Sequence, residues 1–155
     1  MNILILGAAG FIGTNLTIAL AQDPDNVLTL VDTDLAYFAA VEKLSLPNVK
    51  FAQSPLCPGA DLAPLLQGQD LVYHLVSTTV PGTSNRRIPE ELKANVVFTA
   101  ELLDTCVETG VQRVVFISSG GTVYGKAGSC PLTEDMPTEP ISSYGLQKQI
   151  GRAHV

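Results

Sequence analysis

Tyr144 and Lys148 stand four residues apart in the run Tyr-Gly-Leu-Gln-Lys, and this pairing has the strongest chemical implication in the chain. On a helix, residues four apart share a face, so the ammonium can lie beside the phenol. A phenol with a reference pKa of about 10 is a poor base at neutral pH. A neighbouring cation favours the phenolate and makes it usable as a general base. Each pKa unit of lowering corresponds to about 1.4 kcal/mol of differential interaction. The same spacing recurs by chance in many helices. The pair gains meaning from the elements that must position it, and those begin at the other end of the chain.

Residues 2–6, Asn-Ile-Leu-Ile-Leu, form an apolar run suited to a strand buried on both faces of a parallel sheet. Gly7-Ala-Ala-Gly10-Phe11-Ile12-Gly13 follows, and then a helical stretch. A strand, a glycine turn and a helix in that order make a dinucleotide fingerprint credible. Gly7 serves a tight turn off the strand, Gly10 lets the backbone approach a pyrophosphate, and Gly13 lets helix and sheet pack closely. Phe11 and Ile12 open the helix whose positive end would face that pyrophosphate, and they are expected among the cofactor-binding residues.

A second strand, 27–31, ends in Asp32. A carboxylate there accepts from the adenosine ribose diol and repels a 2′-phosphate, which favours NAD over NADP. Asp34 is the alternative ribose partner, because strand ends are placed to about two residues.

The 155 residues suit one domain with a real core, and 46% hydrophobic with 15% charged residues is globular composition. A net charge of −6 argues against nucleic acid or an anionic membrane surface as the main partner. No apolar run approaches the roughly 20 residues of a membrane span, and no signal-peptide pattern opens the chain. Cys57, Cys106 and Cys130 lack metal spacing. They are read as reduced thiols of a cytoplasmic protein, with no metal site.

Strands are expected at 2–6, 27–31, 49–52, 71–75 and 113–117. Helices are expected at 11–21, about 34–43, 60–66, 89–109 and from Ser143 onward. That alternation implies an α/β fold: a Rossmann-type, doubly wound parallel sheet with helices on both faces. Pro131, Pro137 and Pro140 make 126–142 a surface loop. The final Ile150-Gly-Arg-Ala-His-Val155 matches one reading frame of a widely used short-read sequencing adapter, with a stop codon immediately after it. Residues 149–155 are therefore expected to be a sequencing artefact, and 1–148 an NAD-binding domain incomplete at its C-terminus.

With the glycine turn, Asp32, and Tyr144/Lys148 in hand, the chain resembles the extended short-chain dehydrogenase/reductases. Among them it is most similar to the NAD-dependent epimerase/dehydratase family of UDP-glucose 4-epimerase. Gly7-x-x-Gly10-x-x-Gly13, His74-Leu75-Val76, Asn95-Val-Val-Phe-Thr99, Ser118-Ser-Gly-Gly-Thr-Val-Tyr-Gly125 and Tyr144-x-x-x-Lys148 fall in family order. The resemblance implies bound NAD, a nucleotide-sugar substrate (a UDP-sugar) and a homodimeric full-length form. It also implies a substrate domain after Lys148, so the sheet is truncated before it. Leu75, Val76 and Ser77 would run along the cofactor ribose, and Asn95 would face the cofactor from the fourth helix. The alternative for His74 is a hydrogen-bonded core residue, the preferred one; for Asn95 it is a helix cap or a bridge.

Two departures qualify the resemblance. The usual active-site hydroxyl position is Gly120, leaving Ser119, the favoured choice, or Thr122 to orient the substrate hydroxyl. Ser54-Pro55-Leu56 replaces the stretch whose acid contacts adenine, so only the Leu56 backbone amide remains for the ring. In the implied reaction Tyr144 takes the hydroxyl proton and Lys148 supports it and the nicotinamide ribose. The acid/base pair of a dehydratase falls on Gly121 and Thr122, which disfavours 4,6-dehydration. A ketone or aldehyde reductase on the same scaffold and a non-catalytic dinucleotide sensor are the alternatives.

Overall fold

A computed structural model describes residues 1–126 and 130–154. Five strands form one all-parallel sheet: β1 (Asn2–Leu6), β2 (Val27–Asp32), β3 (Val49–Gln53), β4 (Leu71–His74) and β5 (Arg113–Phe116), in the order β3-β2-β1-β4-β5. The chain builds outward from β1 to β3, then returns to lay β4 on the other flank of β1. That reversal opens a crevice beyond the carboxyl ends of β1 and β4, the ligand position in such sheets. Register aligns the strand ends: Leu6 pairs with Val31 and His74, His74 with Phe116, and Asp32 with Gln53.

The apolar run in β1 is continuous because both of its faces are covered. Leu4 and Leu6 join Val72, Phe98 and Leu102 in one core cluster. Ile3 and Ile5 join Leu28, Leu30 and Phe38 in a second cluster on the opposite face. Alternate residues of a strand point to opposite faces, so a strand between two helix layers must be apolar throughout.

The helices are α1 (Phe11–Leu20), α2 (Ala39–Glu42), α3 (Ala63–Leu66), α4 (Ile88–Leu92), α5 (Phe98–Thr109), α6 (Gly120–Val123) and α7 (Ser143–His154). The expected 34–43 helix is a 3₁₀ turn, Leu35–Phe38, running into the single turn of α2. Asp34 starts it, its carboxylate accepting from the Ala36 amide at 2.9 Å. That turn shields Phe38, which is fully buried and packs on Phe51. The expected 60–66 helix is shorter, beginning at Ala63. The long 89–109 helix carries a π-helical stretch, Lys93–Val97, between α4 and α5. α6, a single turn in the serine- and glycine-rich segment, goes beyond the sequence reading. Within 126–142 the described residues form neither helix nor strand, while 127–129 lie outside the described residues. Among the described residues no helix is long and apolar enough to cross a membrane, and no cluster of three His, Cys, Asp or Glu side chains could hold a metal.

Candidate functional site

The glycine turn is held by three kinds of contact. Gly7 adopts φ +76°, a left-handed conformation that disfavours a side chain, and its amide donates to Val31 O at 2.9 Å. A Cβ on Gly13 would lie 2.6 Å from the Ala8 Cα, so only glycine lets α1 sit this close to the turn. Asp32 reaches back from β2: one carboxylate oxygen accepts from the Ala9 amide at 3.0 Å, the other from the Thr33 amide at 2.9 Å. At the start of α1, Gly10 offers no capping side chain, and no acid stands in the first turn. The first-turn amides are thus left for an exogenous anion.

Gly7, Gly10 and Asp32 line a cleft of about 620 Å³ whose further walls include Leu56, Leu75, Val76 and Ser77. Seven expected cofactor residues therefore meet in one place. Asp32, rather than Asp34, is the acid in the cleft wall. Phe11 and Ile12 are outside that wall, 87% and 51% exposed, and open the first turn of α1. Gly13 acts through packing on Ala8 and is buried.

Val76 and Ser77 are shared with a second, smaller cavity of about 60 Å³, which is also lined by Asn95, Thr99, Phe116 and Lys148. The crevice over β1 and β4 thus leads from the glycine turn to the lysine. Lys148 is 7% exposed, with Nζ 4.8 Å from the Phe116 ring centre and 5.7 Å from that of Tyr144. Burial lowers its pKa, since desolvation disfavours the ammonium. The expected i, i+4 pairing is present on α7: the cation lies within reach of the Tyr144 ring face.

α7 is seated by small residues and amides. A Cβ on Gly145 would lie 2.7 Å from Thr122 O, so this glycine lets α7 press on α6. Ser143 N donates to Asn85 Oδ1, and Gln147, 4% exposed, donates to Ser143 Oγ at 2.9 Å. Thr122 Oγ1 and Ser118 Oγ are buried without a hydrogen-bond partner. Ser119 begins α6 but makes no side-chain cap bond, and it lines a surface recess with Tyr124 and Leu132. Ser118 was missed in the sequence, where nothing separates it from its neighbour Ser119.

Asn95 acts as a bridge. Its Oδ1 accepts from the Thr78 amide at 2.9 Å and its Nδ2 donates to Glu91 O at 2.9 Å, tying the π-helical stretch to the loop after β4. His74 is the buried core residue anticipated for it, 2% exposed and edge-on to Phe98 and Phe116. Thr99 Oγ1 donates to Asn95 O at 2.6 Å, so it accepts from His74 Nε2, 2.8 Å away. Nδ1 is then a bare acceptor, buried and unpartnered. Burial first, and the Lys148 charge second, bring the His74 pKa down to about 4. The imidazole is neutral at pH 7.

The sequence model of the NAD-dependent epimerase/dehydratase family matches residues 3–155. The chain belongs to that family. A UDP-glucose 4-epimerase of Mycolicibacterium smegmatis is 34% identical over all of this chain and 50% of its own length. A dTDP-D-glucose 4,6-dehydratase of Mus musculus is 28% identical, over 99% of this chain and 45% of its own. The UDP-glucuronic acid 4-epimerase of Bacillus cereus, solved with UDP-glucuronic acid and NAD, superposes with a TM-score of 0.86 at 30% identity, covering 99% of this chain and 51% of its own. The chain spans about half the length of the curated relatives it matches.

Proposed function

We propose that this chain is the NAD-binding and catalytic part of a nucleotide-sugar epimerase whose substrate is a UDP-sugar. The observation that carries the reading is the meeting of two spaces at Val76 and Ser77: the glycine-turn cleft and the cavity at Lys148. A dinucleotide laid along that path has its pyrophosphate at the α1 N-terminus and its nicotinamide end beside the Tyr144/Lys148 pair. Two solved relatives, from Bacillus cereus and Stenotrophomonas maltophila, hold NAD together with a UDP-sugar, which supports the same assignment here.

Gly7, Gly10 and the α1 amides would hold the pyrophosphate, and Asp32 the adenosine ribose. When bound, NAD supplies a hydride acceptor that later becomes the donor. Tyr144 takes the proton from the sugar hydroxyl and returns it. Lys148 places a desolvated cation beside that phenol, where a positive charge favours the proton-accepting form. A hydroxyl must orient the reacting oxygen, and the unpartnered Thr122 Oγ1, one helix contact from Tyr144, supports Thr122 over Ser119.

The experiment for the function is twofold. The full-length protein is titrated with NAD and NADP, with the expectation that NAD binds more tightly because the Asp32 carboxylate repels a 2′-phosphate. It is then assayed for interconversion of UDP-glucose and UDP-galactose, and of their uronic acids. Tighter NADP binding would overturn the ribose assignment. Absence of epimerisation with every UDP-sugar offered would overturn the activity.

A further inference from the structure

The cleft at the glycine turn is asymmetric. Its centre carries backbone amides and the Asp32 carboxylate, and its β4 side carries Ser77 and Thr78. Beyond Asp32, outside the carboxyl ends of β2 and β3, the walls include two large nonpolar surfaces, the Leu56 side chain and the Tyr37 ring. Among the described residues no other acid, amide or basic side chain lines this cleft, and Asp32 is its one carboxylate.

Tyr37 is unusual in its own right. It sits in the Leu35–Phe38 turn beside Phe38, which is fully buried, yet Tyr37 itself is 60% exposed. Its ring pairs with no other aromatic ring among the described residues. An aromatic ring at the wall of a ligand cleft, more than half exposed, is a surface for a flat ring. Leu56, 8% exposed, is an anchored apolar wall of the same space.

We propose that Tyr37 is the base-binding residue of this site, and that it takes the adenine of the dinucleotide by stacking. This rests on the NAD reading above and adds how the base is recognised. The sheet order puts β3 and β2 on one side of β1 and β4 and β5 on the other. With the pyrophosphate at the α1 N-terminus and Lys148 at the β4–β5 side, the adenosine must extend over β2 and β3, where Tyr37 and Leu56 stand. With Asp32 assigned to the ribose and only the Leu56 backbone amide left for the edge of the base, affinity for the adenine comes mainly from the ring face and from burial of apolar surface. The hydroxyl of Tyr37 has no part in it, so phenylalanine should serve equally well.

The test measures Kd of NAD and of ADP-ribose, by calorimetry, for the full-length protein and for Tyr37→Ala and Tyr37→Phe. Base–aromatic stacking of this kind corresponds to a loss of about tenfold in affinity on truncation to alanine. Tyr37→Ala should weaken both ligands by about that factor, while Tyr37→Phe stays within about twofold of the parent. The ADP-ribose arm is decisive because that ligand keeps the adenine and lacks the nicotinamide. A thermal midpoint of the unliganded protein unchanged by Tyr37→Ala, as its exposure predicts, shows that the loss is not one of folding. Unchanged affinity in Tyr37→Ala with normal binding by the parent overturns the inference alone. A parent that binds neither ligand overturns the cofactor reading and the inference with it.

Discussion

The two ends of the crevice are built on opposite terms. At the glycine turn the hydrogen bonds that fix the chain run between the β1–α1 turn and the end of β2. Gly7 and Ala8 donate to Val31 O, Ala9 donates to Asp32, and Gly13 packs on Ala8. At the catalytic end the residues come from distant stretches and leave polar groups unspent. Thr122 Oγ1, Ser118 Oγ and His74 Nδ1 are buried without partners, and Lys148 is a largely desolvated cation. Buried polar groups left unpaired each cost about 1–3 kcal/mol. The turn's own fold is thus fixed before a ligand arrives, with only the α1 first-turn amides left open, whereas the Lys148 end keeps buried side-chain groups that a bound substrate and cofactor would fill. Orphaned polar groups collected at one end support the proposal that chemistry takes place there.

The largest expected effect separates the two ends outright. Tyr144→Phe in the full-length protein keeps the ring that Lys148 faces but removes the proton-transfer group. Steady-state kinetics should show kcat falling by about 10³-fold or more, with NAD affinity unchanged. Retained turnover would mean that the base lies elsewhere.

Next comes the buried imidazole. The folded pKa of His74, about 4, lies below its ordinary 6.5, so the unfolded chain binds the proton first. Stability owed to the neutral ring is therefore complete above pH 6.5 and is lost as pH falls toward 4. Urea unfolding of the parent should lose about 3 kcal/mol more across that window than His74→Gln does. Parallel pH profiles for the two proteins would contradict the burial argument.

A smaller effect probes the turn. Gly13→Ala places a methyl group against Ala8, and overpacking of about 1–3 kcal/mol is only partly offset by better helix propensity. The thermal midpoint and NAD affinity should both fall, in contrast to Tyr144→Phe, where neither does. The smallest effect discriminates the two hydroxyls. Thr122→Val should lower kcat about tenfold while Ser119→Ala changes it by less than about threefold, consistent with one lost transition-state hydrogen bond. The reverse ranking would return the role to Ser119.

Local sequence was enough for the first end of the crevice. An apolar run, glycines three apart and an acid at the next strand end each act on neighbours close in the chain or one strand away. Their chemistry therefore shows in spacing, and strand β2 and helix α1 form where the pattern places them. The Tyr144/Lys148 pair was legible for the same reason, since one helix supplies both residues.

What the tertiary structure alone decided involves groups far apart in sequence. Thr122, one of two candidate hydroxyls in the sequence, gains support over Ser119 through Gly145, which brings α7 onto the carbonyl of α6. Asn95 is a bridge to Thr78 because β4 and the π-helical stretch are adjacent only in the folded sheet. His74 takes its neutral state from Phe98, Phe116 and Lys148, none of them near it in the chain. Tyr37 looks in sequence like one more apolar residue beside Phe38, and only the fold shows one ring buried and the other facing the cleft. Residue type and short spacing specify what a side chain can do; burial, and the partners that packing supplies or withholds, decide which of those capacities remain free for a ligand.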